Sequence, residues 1–135
     1  MTKIKMGTGS ISWSSKQQSV VALSTTEVEY VAAASAGSEI IWIRNLLDEL
    51  GSKVEGPSHL LINNQSAISV AKNPEHHRRM KHLDLRYFYF WLRDKVAEGD
   101  IQVHYVPTRS MPADLLTNPL PRSMIEKHRA RMGIC

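Results

Sequence analysis

Cysteine is almost absent from this sequence of 135 residues: the only one, Cys135, is the last residue. An internal disulfide framework is therefore excluded, and nothing argues for secretion. No apolar run approaches the length of about eighteen residues needed to cross a bilayer, and the start of the chain lacks the apolar core of a signal peptide. We expect no membrane association and an intracellular location, cytoplasmic or nuclear.

Low-complexity tracts, internal repeats and long Pro/Gly/Ser linkers are also absent, which argues against disorder, solenoids and two tethered domains. Hydrophobic residues make up 42% and charged residues 22% of the chain, so a real core can form. We expect one domain over residues 1–135. The net charge of +4 permits an anionic partner without establishing one.

Hydropathy periodicity predicts an α/β domain with parallel strand pairing, because strands and helices alternate along the chain. Predicted strands cover 10–18, 59–63 and 101–106, and 2–6 is expected to form a hairpin with the first of them. Predicted helices cover 24–50, 64–72, 83–96, 113–117 and 122–132.

Two local features refine the first long helix. Ser24, Thr25, Thr26 and Glu27 have the form of a capping box, so the helix should begin there. Gly37 lies near its middle, where we expect a bend or a break.

The three tryptophans, Trp13, Trp42 and Trp91, each lie within an apolar periodic pattern. This favours core or interface positions over platforms for stacking bases.

Four strings occur in an order and spacing that resemble one family. They are residues 11–18 running into 21–30 (ISWSSKQQ, VALSTTEVEY), 63–68 (NNQSAI), 77–86 with MKHLD inside it, and 105–108 (YVPT) followed by 112–120 (PADLLTNPL). Together they look like the ribonuclease H domain of copia-type retrotransposon Pol polyproteins, over about residues 9–133. Each string is weak alone, but the shared order makes the resemblance specific.

The resemblance implies a ribonuclease H-like fold, in which a mixed five-stranded sheet is flanked by helices. It also implies cleavage of the RNA strand of an RNA/DNA hybrid with two magnesium ions. Magnesium prefers hard oxygen ligands, and two close cations repel each other unless carboxylates surround them. The family supplies four acidic positions for this purpose.

Only two of those four acids are present here. By the resemblance, Glu29 matches the acid of the first long helix and Asp114 the acid near the end, whereas Asn63 stands where the family has aspartate. The fourth acid belongs to a first, central strand that this sequence begins too late to contain. We therefore expect vestigial catalytic positions at Glu29, Asp114 and Asn63, no resident cofactor, and Mg2+ at Glu29 and Asp114 only if activity is retained.

A fold of this kind without its first central strand leaves unpaired backbone groups at a sheet edge. Three remedies are open: the segment 2–6 takes the vacant place, two copies share strands, or another protein donates one. We favour a homodimer or a protein partner that donates a strand.

A second departure from the family lies at 88–90, where two extra residues are inserted in an aromatic helix. Two residues rotate everything downstream by about 200°. The insertion is either absorbed by a bulge or gives the helix a new aromatic face.

A basic segment at 76–82 is the candidate nucleic-acid contact, because clustered cations gain from counterion release. Its candidate contact residues are His77, Arg78, Arg79, Lys81 and His82. A solvated basic loop explains the same residues, and no second cysteine or spaced histidine pair completes a zinc site.

The sequence thus predicts a retrotransposon-derived domain that is inactive as a nuclease and acts in protein interactions. One alternative is a magnesium-dependent ribonuclease H in which Asp84 or a second chain assists Glu29 and Asp114. The other is binding of nucleic acid without cleavage, through the basic segment.

Overall fold

The fold was obtained as a computed structural model that describes residues 2–7, 9–15, 24–72, 83–113 and 119–132. The chain divides into two compact units, Met1–Gln18 with Val106–Cys135, and Ser19–Tyr105. Both units contain β-strands and at least one α-helix, which confirms the α/β class. The expectation of one domain over the whole chain stays a prediction.

The smaller unit contains a β-hairpin, as predicted. Strands β1 (Thr2–Met6) and β2 (Gly9–Ser14) pair antiparallel, with a register shift between Ile4 and Lys5. Gly7 allows the turn because it adopts φ 60°, a conformation that glycine takes without a Cβ penalty. The remainder of the predicted strand, at 16–18, lies outside the described residues.

Helix α4 (Arg122–Arg131) and a 3₁₀ turn (Thr108–Ser110) complete the described part of the smaller unit. The Ser10 hydroxyl donates to the Met132 carbonyl at 3.2 Å, and the Arg131 guanidinium donates to the Ser110 carbonyl at 3.1 Å. These two bonds join the end of α4 to β2 and to the 3₁₀ turn.

The larger unit is built on a parallel pair of strands, which confirms the predicted parallel pairing. Strands β3 (Ser58–Ile62) and β4 (Ile101–Tyr105) are in register from Ser58 opposite Ile101 to Ile62 opposite Tyr105. Successive side chains alternate between the two faces of a strand. One face carries the buried residues Leu60, Ile62, Ile101 and Val103, and the other carries His59, Leu61, Gln102 and His104.

Three helices supply the rest of the core of this unit: α1 (Thr25–Glu49), α2 (Gln65–Lys72) and α3 (Leu83–Ala97). Small residues line the packed faces of α1 and α2, which lets the helices approach each other and the sheet closely. Examples are Ala33, Ala34, Ala36, Ala67 and Ala71, all buried in the same cluster as Leu60 and Ile62.

Helix α1 starts and stops where its sequence predicts. The Ser24 side chain accepts from the Glu27 backbone N–H at 3.2 Å. At the other end Gly51 adopts φ 79°, and the N–H groups of Gly51 and Ser52 bond back to Asp48 and Leu47 at 3.0 Å and 2.8 Å. This is a Schellman arrangement, which satisfies carbonyls at the helix end.

A break at Gly37 is wrong, because α1 continues through it, and a bend there stays a prediction. A Cβ at Gly37 would lie 3.1 Å from Ile101, 3.2 Å from Trp91 and 3.3 Å from Leu92. Glycine is therefore present for close packing. Contacts with the sheet and α3 outweigh its low helix propensity, which costs only about 1 kcal/mol.

Helix α3 runs as one α-helix through residues 88–90, so the described structure contains no bulge at the position of the predicted insertion. Tyr89 and Leu92 are buried, whereas Tyr87 is 70% and Phe90 42% exposed. Helix α3 therefore exposes two aromatic side chains, whereas the insertion itself stays a prediction.

The tryptophans divide between core and surface. Trp91 packs against the core of the larger unit. Trp13 and Trp42 are 67% and 64% exposed, so the core interpretation is wrong for both, and the interface interpretation stays a prediction. None of the described helices is long and apolar enough to span a membrane.

Candidate functional site

Glu29 lies in the second turn of α1 and is half-buried. Its neighbour Tyr30 fixes this part of the helix, because the Tyr30 hydroxyl donates to the Tyr89 carbonyl at 2.9 Å. The two tyrosine rings stack with centroids 5.2 Å apart. Burial, followed by the nearby Tyr89, raises the pKa of Tyr30 above its ordinary value, so this hydroxyl remains a donor.

Asn63 follows β3 directly, at the carboxyl end of the parallel pair, and is also half-buried. The next residue, Asn64, caps α2: its Oδ1 accepts from the Ala67 backbone N–H at 3.1 Å. The sharp strand-to-helix turn thus holds Asn63 in a defined place. The Asn63 amide oxygen is a hard donor that carries no charge.

Near the other end of α1, side-chain hydrogen bonds connect the helix to the start of β3. The Arg44 guanidinium donates to the Gly56 carbonyl at 2.8 Å and to the Ser58 hydroxyl at 3.0 Å. Arg44 therefore ties the C-terminal half of α1 to the start of β3. Glu29 precedes Arg44 by a distance of about 22 Å along the helix axis. Asn63 follows Ser58 by a distance of about 16 Å along the direction of the strand.

The structure does not describe the side chains of the other residues predicted for the site. Asp114 and the basic residues His77, Arg78, Arg79, Lys81 and His82 lie outside the described residues, as does the side chain of Asp84. Within the described ranges, no group of three or more histidine, cysteine, aspartate or glutamate side chains could hold a metal ion. The magnesium site and the nucleic-acid contact stay predictions.

The chemistry available to Glu29 and Asn63 alone is limited. One carboxylate supplies a single negative charge, and two divalent cations held about 4 Å apart need more. At an effective dielectric constant of 20, one unit charge at 4 Å contributes about 4 kcal/mol. The neutral amide of Asn63 does not supply that contribution.

The structure also shows a histidine pair that sequence reasoning missed. His59 Nδ1 and His104 Nε2 lie 2.9 Å apart across β3 and β4, with ring centroids 5.0 Å apart. The signal was present in the sequence, since both histidines occupy outward positions of strands predicted to run parallel.

Comparison with known proteins places the chain among retroelement sequences. It is 42% identical over 126 residues to the retrovirus-related Pol polyprotein from transposon TNT 1-94 of Nicotiana tabacum, an alignment that covers 93% of this chain and 9% of the relative. The chain is homologous to retrotransposon Pol polyproteins. The retrovirus-related Pol polyproteins from transposons RE1 and RE2 of Arabidopsis thaliana are 37% and 38% identical, over 97% of this chain and 9% of their own length.

These homologues confirm the predicted relationship to copia-type retrotransposon Pol polyproteins. More distant similarity extends to a transposon Ty1-NL2 Gag-Pol polyprotein of Saccharomyces cerevisiae, 31% identical over 79% of this chain and 6% of the relative. The chain spans 9% of the length of the three plant relatives. No protein-family profile and no solved structure matches it.

Proposed function

We propose that this chain is a ribonuclease H-type domain derived from a retrotransposon Pol polyprotein, that it does not cleave nucleic acid, and that it acts in protein interactions through the open edge of β3. The homology supports the retroelement origin, and the four motif strings support the domain type. Asn63 in place of a carboxylate supports inactivity.

The observation that carries the interaction role is the pairing of the strands. Among the described residues, the strands form two sheets of two strands each, β1 with β2 and β3 with β4. Two-stranded parallel sheets are rare because parallel sheets are normally larger and covered.

Backbone geometry identifies the groups that an added strand would meet. The Ser58 N–H donates to the Asp100 carbonyl at 2.9 Å, so Ser58 directs its backbone groups toward β4. Successive residues of a strand direct their N–H and C=O groups to alternate sides. The backbone groups of His59 and Leu61 therefore point to the other side of β3, where no strand lies among the described residues.

A second copy of this chain suits that edge. Two β3 strands related by a two-fold axis would pair antiparallel, and each would satisfy the backbone groups of the other. Leu61 is 48% exposed on the outer face, so the same pairing would bring two leucine side chains together.

Nuclease activity is tested with the full chain, Mg2+ and a labelled RNA/DNA hybrid. We expect no magnesium-dependent cleavage of the RNA strand, and no difference between the natural chain and Glu29→Gln. Cleavage that requires Mg2+ and disappears in Glu29→Gln would show that the inactive assignment is wrong and that the enzyme alternative holds.

The interaction role is tested by replacing Leu61 with proline, which removes the outward N–H while the ladder to β4 keeps its own donors. The matched control is Leu61→Ala, which removes the same side chain and keeps the N–H. In light scattering we expect dimers for the natural chain and for Leu61→Ala, and monomers for Leu61→Pro with unchanged circular dichroism. A stable monomer of the natural chain would contradict the proposal.

A further inference from the structure

His59 and His104 project from the face of the parallel sheet opposite the core. Their nearest ring nitrogens, Nδ1 of His59 and Nε2 of His104, are separated by 2.9 Å. His59 is exposed and His104 is half-buried, so solvent reaches the pair. The ring planes are tilted by 48°, which excludes simple stacking as the reason for the contact.

We propose that His59 and His104 together bind one divalent transition-metal ion of tetragonal preference, Cu2+ foremost. Imidazole nitrogen is a preferred ligand of copper, nickel and zinc, whereas magnesium prefers oxygen. The site is distinct from the magnesium positions predicted at Glu29 and Asp114, and it does not depend on the proposed function.

Coordination geometry and affinity distinguish these ions. With metal–nitrogen distances of about 2.0 Å, two ligands at a right angle are about 2.8 Å apart, and two ligands at the tetrahedral angle are about 3.3 Å apart. The observed 2.9 Å is the N···N distance of a hydrogen bond in the metal-free pair, which places the two rings within reach of either arrangement, so the preference for copper rests on affinity. Copper and nickel adopt square or tetragonal coordination, and copper binds most tightly among the first-row divalent ions.

Binding requires a small rearrangement of protons. In the metal-free pair, one imidazole donates its N–H to the lone pair of the other. For both facing nitrogens to bind a metal, the donor ring must carry its proton on its other nitrogen, which is a tautomeric shift with no net loss of a proton. Since His59 is exposed, its ring can turn so that the two lone pairs converge.

The backbone preorganises the two ligands. His59 and His104 belong to paired strands and occupy the same face, with Gln102 opposite His59 and Leu61 opposite His104. Once one imidazole has bound, the second is already held at a high effective concentration. Water would fill the remaining coordination positions, as expected for an exposed site.

The test is titration of the full chain with Cu2+ alone, followed by isothermal calorimetry and electron paramagnetic resonance. We expect the double variant His59→Gln/His104→Gln to lose one bound Cu2+ per chain, together with a signal from two equatorial nitrogens. Either single variant should weaken that site at least tenfold. Leu61→Ala, on the same face and without a ligand atom, is the matched control and should bind as the natural chain does.

The histidines of the basic segment could also bind copper, so a second variant separates the two sources. Replacement of His76, His77 and His82 by glutamine should leave the two-nitrogen signal of the strand pair intact. The proposal is overturned if the double strand variant keeps the full stoichiometry and signal, or if the signal disappears with the basic-segment histidines instead.

Discussion

Tyr89→Ala is expected to lower the free energy of unfolding by about 3–5 kcal/mol, the range for truncating a large buried side chain. The Tyr89 ring is 2% exposed, and its hydroxyl donates to the Val70 carbonyl at 3.0 Å. Its ring stacks on Tyr30, so the substitution opens a cavity between α1, α2 and α3. Urea denaturation monitored by circular dichroism measures the change.

The matched control is Tyr87→Ala, the same substitution on the same helix. Tyr87 is 70% exposed, so its loss should change the free energy of unfolding by no more than about 0.5 kcal/mol. Equal effects at the two positions would show that α3 does not present Tyr89 to the core.

Gly37→Leu is expected to destabilise the protein by about 1–3 kcal/mol through overpacking, despite the better helix propensity of leucine. Three side chains, from Ile101, Trp91 and Leu92, already lie within 3.3 Å of where a Cβ would stand. Each additional methylene group must displace them. Thermal or urea unfolding measures the loss.

Two variants calibrate this prediction. Gly37→Ala should be milder, because the gain in helix propensity of about 1 kcal/mol offsets part of the strain. Ser38→Leu places the same leucine on the adjacent, exposed position and should change stability little. A Gly37→Leu protein as stable as the natural one would mean that α1 does not pack closely on the sheet.

The elements that the sequence predicted best carry strong local signals. Helix α1 begins after Ser24 and ends before Gly51, because a helix cap and a left-handed glycine act within one turn of the backbone. The parallel pair β3 and β4 followed from the alternation of strands and helices. Retrotransposon ancestry followed from the order of motif strings, and the homologues confirm it.

The failures concern positions whose role depends on distant neighbours. Gly37 carries a weak local preference against helix, which close contacts with Ile101 and two α3 residues override. Trp13 and Trp42 fit apolar periodic patterns, yet periodicity does not say whether any element covers that face. For the candidate magnesium site, Glu29 and Asn63 are located, and the remaining predicted residues lie outside the described part of the chain.

By itself, the sequence determined the class of fold, the ends of the longest helix and the neutral amide at Asn63, because these depend on residue identity and short-range backbone geometry. Only the tertiary structure decided which aromatic face of α3 is buried, why Gly37 is glycine, and that His59 and His104 meet at 2.9 Å. Those outcomes depend on pairing register and on packing between elements far apart along the chain, where local preferences of about 1 kcal/mol are outweighed by burial.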